Sequence, residues 1–397
     1  MNASSITTAE IIKKLAKRGH DVFLLVPVRC PDECVVSCSM RCYENNKVTV
    51  TRIPTIVPYY IVNMHRRMRA FALMLCHVPL FLQALKTGKR RKFDVIVSQH
   101  HSSHLASLSA FLLSRVFSLP WIVKTHDVYD TASSVIEIIF LRLLDNLYRL
   151  ILKRADYVLV VSEPLRKMVI KTHGLEKDRV VVFPNGVDLE KFKLNIRSTS
   201  LKSLLEIENK KIILFIGALK EERGLSLLVR ALPKIVTKRS DVLVLILGDG
   251  PEKSRLEELA EEMGVEQFVR FMPPVKYDEV PNHIHLAHVT IGPLVSMLDT
   301  FGSVPRKVVE YMACGKPTVA SWGGISEDLI RDGYNGFLVE RENANELAAV
   351  ILKLLNDPIL AKKIGLNARR YVEKFYDMET LMDTFEIFLS KVSPTER

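Results

Sequence analysis

Short apolar runs alternate with stretches in helical spacing along almost the whole chain. In the first half the runs predict strands at 22–27 (VFLLVP), 47–53 (KVTVTRI), 94–99 (DVIVSQ), 120–125 (PWIVKT), 157–161 (YVLVV) and 180–183 (VVVF), with helical patterns between them, as at 134–153 and 163–172. The runs are continuous in Val, Ile and Leu, which is the pattern of strands buried on both faces of a parallel sheet with crossover helices. The alternation breaks at Pro184-Asn185-Gly186, a turn signal, and a polar, irregular stretch follows. It resumes with strands predicted at 212–217, 242–248, 269–272, 289–293, 317–321 and 336–339, and the tail 341–392 is helical in pattern. The economical reading is α/β: two doubly wound parallel-sheet units joined near 185–210, with domains at 1–190 and 200–375. A helix at 377–392 is expected to return to the first.

Ligands of open α/β sheets bind beyond the carboxyl ends of the strands, so the loops after the predicted strands hold the candidate chemistry. In "IGALKEERGL" (216–225) a strand ends at Gly217, and Lys220 and Arg223 precede a helix opened by Gly224. An anion there meets backbone N–H groups and two cations; an ordinary solvated loop is the plainer reading. "LGDGPEKSRL" (247–256) repeats the arrangement, with Gly250 suited to positive φ and Pro251 to the first helical position. "VKTHDVYD" (123–130) sets His126 at a strand end, where an imidazole serves a hydroxyl or phosphate or is merely structural. In "FGSVPRKVVEYMACGKP" (301–317) Ser303 belongs to the turn, and Lys307 and Glu310 lie three apart on one helix face. Cations for a diphosphate, and a carboxylate able to bond vicinal ribose hydroxyls, point to a nucleotide diphosphate. There is no Walker A loop, no G-x-G-x-x-G fingerprint, no D-x-D pair and no G-x-S-x-G elbow.

Charge adds one feature. The 397 residues carry 56 Lys and Arg against 45 Asp and Glu, a net +11. Part of the excess is concentrated in 63–92, which holds eight Lys and Arg and no acid. Its apolar middle is too short to span a bilayer, so a basic helix lying on an anionic membrane surface stands beside a solvated helix on the core. It lacks interleaved aromatics, which argues against nucleic acid as partner. Cys30, Cys34, Cys38 and Cys42 recur every fourth residue, but on a helix that spacing climbs about 6 Å per step, too extended for one tetrahedral ion. Free thiols in a loop are expected, and no metal. Residues 1–27 lack the pattern of a secretory signal, so a cytoplasmic location, peripheral to the inner face of the plasma membrane, is the expectation.

The order of "RGHDVFLLVP", "FDVIVSQH", "PWIVKTHD", "ADYVLVVSEPLRK", "FPNGVDLEKF", "LFIGALKEERGLSLLVRAL", "LILGDGPEKSRLEELA", "VEYMACGKPTVAS" and "DGYNGFLVE" resembles the GT4 family of retaining glycosyltransferases over nearly the whole chain. The resemblance implies the GT-B fold, two Rossmann-like domains facing a cleft. It also implies metal-independent, cofactor-free transfer of a sugar from a nucleotide-diphosphate sugar to a glycan, lipid-linked or small-molecule acceptor. Glu310 takes the place of the glutamate that binds the donor ribose, and Arg223 that of a lysine on the diphosphate. His126 matches a histidine near the transferred sugar. Val275 lies where backbone atoms meet the base, and Gly302, Ser303 and Val304 form the loop whose amides approach phosphates and sugar. Three positions depart from the family. Ala218 stands where an arginine often follows Gly217, leaving Lys220 as the candidate substitute. Gly302 stands where a second, sugar-reading glutamate is usual, with Asp299 as candidate replacement. Relatives also begin with a strand and Gly-rich loop ahead of "AEIIKKLAKRGHDV", which here follows directly on "MNASSITT". The alternatives are therefore an impaired sugar-nucleotide binder and a GT-B epimerase.

Overall fold

The computed structural model describes residues 3–28, 48–54, 81–99, 105–125, 149–196, 199–294, 305–323 and 326–392. His126, Gly302, Ser303, Val304, Asp299, Cys30, Cys34, Cys38, Cys42 and residues 63–80 of the basic stretch lie outside them. The chain divides into two compact units, 1–184 with 380–397 and 185–379. Among the described residues no helix is long and apolar enough to cross a membrane.

In the first unit, β1 (Val22–Val28) pairs in parallel with β2 (Val48–Pro54). A second parallel sheet runs β3 (Ile96–Gln99), β4 (Trp121–Thr125), β5 (Tyr157–Val160) and β6 (Val180–Val182) in that order. Trp121 is fully buried, so its indole N–H needs a partner, and it donates to Ser98 Oγ at 2.9 Å on the next strand. The Glu163–His173 helix shows how locally its limits are written. Ser162 Oγ accepts from Leu165 N, Pro164 fills the first turn, and Gly174 closes the end at φ 62°, donating to Ile170 O.

In the second unit, six parallel strands stand in the order β12-β11-β10-β7-β8-β9. They are β7 (Lys211–Ile216), β8 (Val242–Leu247), β9 (Val269–Met272), β10 (Val289–Ile291), β11 (Thr318–Ser321) and β12 (Phe337–Val339). Alternate residues of these strands enter two separate cores. Phe215, Val244 and Ile246 pack with the Leu225–Lys238 and Ala344–Asn356 helices, and Leu214, Leu243 and Leu245 with the Val280–Leu286 and Arg306–Ala313 helices. Burial on both faces, worth roughly 1.5–3 kcal/mol per large apolar side chain, explains why β8 reads as an unbroken VLVLIL.

The stretch 185–210, expected as a joint, is part of this unit. Val187, Phe192 and Ile207 are buried in its core, and Val187 bridges to the far end of the unit. Its N–H donates to Tyr376 O at 2.9 Å, and its carbonyl accepts from Met378 N at 3.1 Å. The stretch is polar in sequence because many of its residues face water, while Val187, Phe192 and Ile207 anchor it, with Leu189, Leu201 and Leu205 packed against the same core.

Candidate functional site

The strand order places the site. From β7 the chain runs one way through β8 and β9, and from β10 the other way through β11 and β12. The sheet therefore has a switch point between β7 and β10, where two loops leave in opposite directions and open a crevice. The loop after β7 is 217–224, and β10 leads, through a stretch partly outside the described residues, to the Arg306–Ala313 helix.

The loops at this edge are interlocked through backbone. Leu219 N donates to Asp249 O at 2.9 Å, Glu252 N to Leu219 O at 3.2 Å, and Leu294 N to Arg223 O at 3.1 Å. Two glycines allow that closeness. Gly217 has φ 144°, and a Cβ on it would lie 2.7 Å from Lys307 Nζ. Gly250 has φ 158°, and its Cβ would meet Leu219 O at 2.2 Å. Gly250→Ala should therefore destabilise the second unit by roughly 1–3 kcal/mol, through a disfavoured φ and a backbone clash. Urea unfolding checks this; a midpoint unchanged from the native protein would contradict it.

Glu310 is buried, and two donors share one of its oxygens. Tyr277 OH reaches Oε1 at 2.9 Å and Arg306 Nε reaches it at 2.8 Å, while Arg306 Nη2 donates to Tyr277 OH at 2.5 Å. Side-chain exposure is 5% for Arg306 and 9% for Glu310, so this is a desolvated ion pair within one helix, one turn apart. Lys191 Nζ lies 3.8 Å from the centre of the Tyr277 ring and pairs with Asp278 at 2.5 Å. Val275, two residues before Tyr277, is half-buried against the same core.

The next residue, Tyr311, ties this helix to the glycine loop. Its hydroxyl accepts from Ile216 N at 2.8 Å, and burial pushes its pKa upward, so it stays neutral. The helix's other end is closed by Arg369, whose Nη1 donates to Ala313 O and Phe192 O, both at 2.7 Å. That satisfies a carbonyl the helix leaves open.

Gly217, Lys307, Glu310, Val275, Gly250, Lys220 and Arg223 are all set at the carboxyl edge of the second sheet. Lys307 Nζ lies 3.7 Å from the centre of the Phe215 ring. Lys220 is exposed and pairs with Glu222 at 3.4 Å. Arg223 closes the turn Glu221–Arg223 before the Leu225–Lys238 helix and is half-buried. Sequence reasoning missed Arg306, Tyr277 and Phe215. Only Arg306 left a signal, an arginine one helical turn before the acid.

Residues 197–371 match the family model of glycosyl transferases group 1, and residues 4–191 that of glycosyltransferase family 4. A D-inositol 3-phosphate glycosyltransferase of Streptomyces bingchenggensis is 29% identical over 232 residues, 56% of this chain and 50% of the relative. An uncharacterized glycosyltransferase of Methanocaldococcus jannaschii is 30% identical over 228 residues, covering 56% and 57%. The match thus spans about half the length of these two curated relatives. An alpha-D-kanosaminyltransferase of Streptomyces kanamyceticus aligns over 90% of this chain and 92% of its own length at 23% identity. Among solved structures, Anabaena HepE in complex with UDP superposes with a TM-score of 0.76 at 20% identity, covering 98% of this chain and 96% of that one. Sucrose-phosphate synthase from Thermosynechococcus elongatus does so with 0.76 at 19%, covering 97% and 92%. These likenesses carry the two-domain α/β fold.

Proposed function

Because the chain belongs to the GT4-type glycosyltransferases of GT-B fold, we propose that it moves a sugar from a nucleotide-diphosphate donor to an acceptor hydroxyl with retention at the anomeric carbon. The observation that carries this reading is the buried carboxylate of Glu310, held by Tyr277 and Arg306 at the sheet's switch point beside the Gly217 loop. A carboxylate fixed in that way binds the vicinal hydroxyls of a ribose, and the loop amides and Arg223 take the diphosphate.

In the proposed reaction the bond between C1 of the sugar and the β-phosphate oxygen breaks. The acceptor oxygen bonds C1 on the same face, and the leaving phosphate oxygen takes the acceptor proton. No side-chain nucleophile and no metal ion enter the scheme. Catalysis rests on positioning and on stabilising charge that grows on the departing diphosphate. His126 is assigned beside the transferred sugar, and the amides of Gly302 to Val304 beside the phosphates. The acceptor is a glycan, a lipid-linked sugar or a small polyol, and residues 63–92 are the proposed contact with an anionic membrane surface.

Thermal shift against a panel of UDP-, GDP- and ADP-sugars, followed by product analysis with the donor that stabilises, tests the reading. Binding raises the melting temperature in step with the logarithm of ligand concentration over Kd. Arg223→Ala should weaken that donor by roughly 1.5–3 kcal/mol, the worth of a hydrogen bond to a charged group. No stabilisation by any nucleotide sugar would refute the proposal, and a donor altered without acceptor would point to an epimerase.

A further inference from the structure

Resting on that donor reading, we infer that Lys307 supplies a cation to the donor's diphosphate, with Phe215 as the residue that positions it. Lys307 reaches the end of β7 from across the crevice. It leaves the first turn of the Arg306–Ala313 helix, crosses the Phe215 ring at 3.7 Å, and ends so close to Gly217 that a Cβ there would lie 2.7 Å from Nζ. The ammonium thus stands at the end of β7, at the switch point, where the donor's phosphates are placed.

Lys220 is the obvious competitor and is worse suited. It is exposed and paired with Glu222 at 3.4 Å, so water and a carboxylate both screen it. Lys307 Nζ is buried, and a charge removed from water attracts an oxyanion more strongly than one in bulk solvent. The aromatic face under Nζ favours the cation, the more so in a desolvated setting. Phe215 is fully buried among Leu225, Leu228 and Val244 in the core, so the ring that supports the ammonium cannot swing away. Gly217 keeps the path open, because any side chain there would push Nζ off the strand end.

The test measures Kd by calorimetry for nucleoside, monophosphate and diphosphate of the base the protein prefers, taken from the uridine, guanosine and adenosine series. Native protein is compared with Lys307→Met, Lys307→Arg, Lys220→Met and Phe215→Leu. Lys307→Met should weaken the diphosphate roughly 10- to 100-fold, the span of one charge-assisted hydrogen bond. It should weaken the monophosphate less and leave nucleoside binding unchanged, which also shows that the variant is folded. Lys307→Arg should recover most of the loss, Phe215→Leu should fall between, and Lys220→Met should change Kd less than about 3-fold. A diphosphate-to-nucleoside ratio unmoved by Lys307→Met, equal losses for nucleoside and diphosphate, or a larger loss from Lys220→Met would each overturn the assignment. Native protein that binds none of the diphosphates overturns the donor reading itself, and this inference with it.

Discussion

Glu310→Ala is expected to lower the stability of the second unit by about 3–5 kcal/mol, as well as to remove donor binding, because it takes away a carboxylate bonded to a buried guanidinium. Arg306 is 5% exposed and reaches both Glu310 and Tyr277; without the carboxylate, its charge stays out of water. The loss of binding in this variant would therefore mix two causes. Replacing both partners separates them. Arg306→Met with Glu310→Leu keeps the volume and removes both charges, a change that elsewhere is neutral or stabilising. The double variant should unfold in urea near the native midpoint, yet bind no nucleotide. Glu310→Gln, which keeps the shape, should lose roughly 10- to 100-fold in donor affinity. A double variant that still binds donor would show that Glu310 is no ribose ligand. A single alanine variant as stable as the native protein would show that Arg306 does not depend on it.

The second large effect lies at the opposite edge of the sheet. His288 precedes β10, and its Nδ1 accepts from Ile212 N at 3.0 Å, a bond that only the unprotonated nitrogen can make. Burial, and then the positive charges of Lys211, Lys202 and Lys316, hold its pKa down from 6.5 to about 4, against a smaller pull from Asp241. A folded-state pKa below the unfolded one means stability that is complete above pH 6.5 and is lost as pH falls toward 4. At about 1.4 kcal/mol per decade of proton affinity, that loss amounts to roughly 3 kcal/mol. Urea unfolding from pH 7.5 to 4.5 should show this decline, and His288→Gln should lack a matching part of it. Identical pH profiles for the two proteins would exclude the histidine as its source.

The fold was legible because central strands such as β7 and β8 are buried on both faces: runs such as VLVLIL need no partner in sequence to be recognised. The caps around 163–174 were equally local. Glu310 stood out as the acid inside a helix behind a glycine turn, in a motif with family precedent. Its two donors did not stand out, because Tyr277 comes from a loop 33 residues away and Arg306 reads as another surface cation of a basic chain. Lys220, on a loop, looked the better diphosphate cation, and Lys307, on a helix face, was only one cation among several. What separates them is the ring of Phe215, which sits in a strand and looks like any core residue. The stretch 185–210 misled for the reverse reason, since three buried side chains among polar neighbours leave no periodic signal.

The bridge between Val187 and the residues around Asp377 has a consequence in time. The first unit takes residues from both sides of the second, so a chain emerging from the ribosome cannot complete that unit until everything up to its last helix has been made. Meanwhile the second unit, once formed, holds its own two ends together at Val187, Tyr376 and Met378. That spares the last helix the entropy of closing a long loop. Assembly therefore runs from the inside outward: the second unit matures early, and the part made first is finished last, through partners such as Arg18 for Asp383 and Glu386.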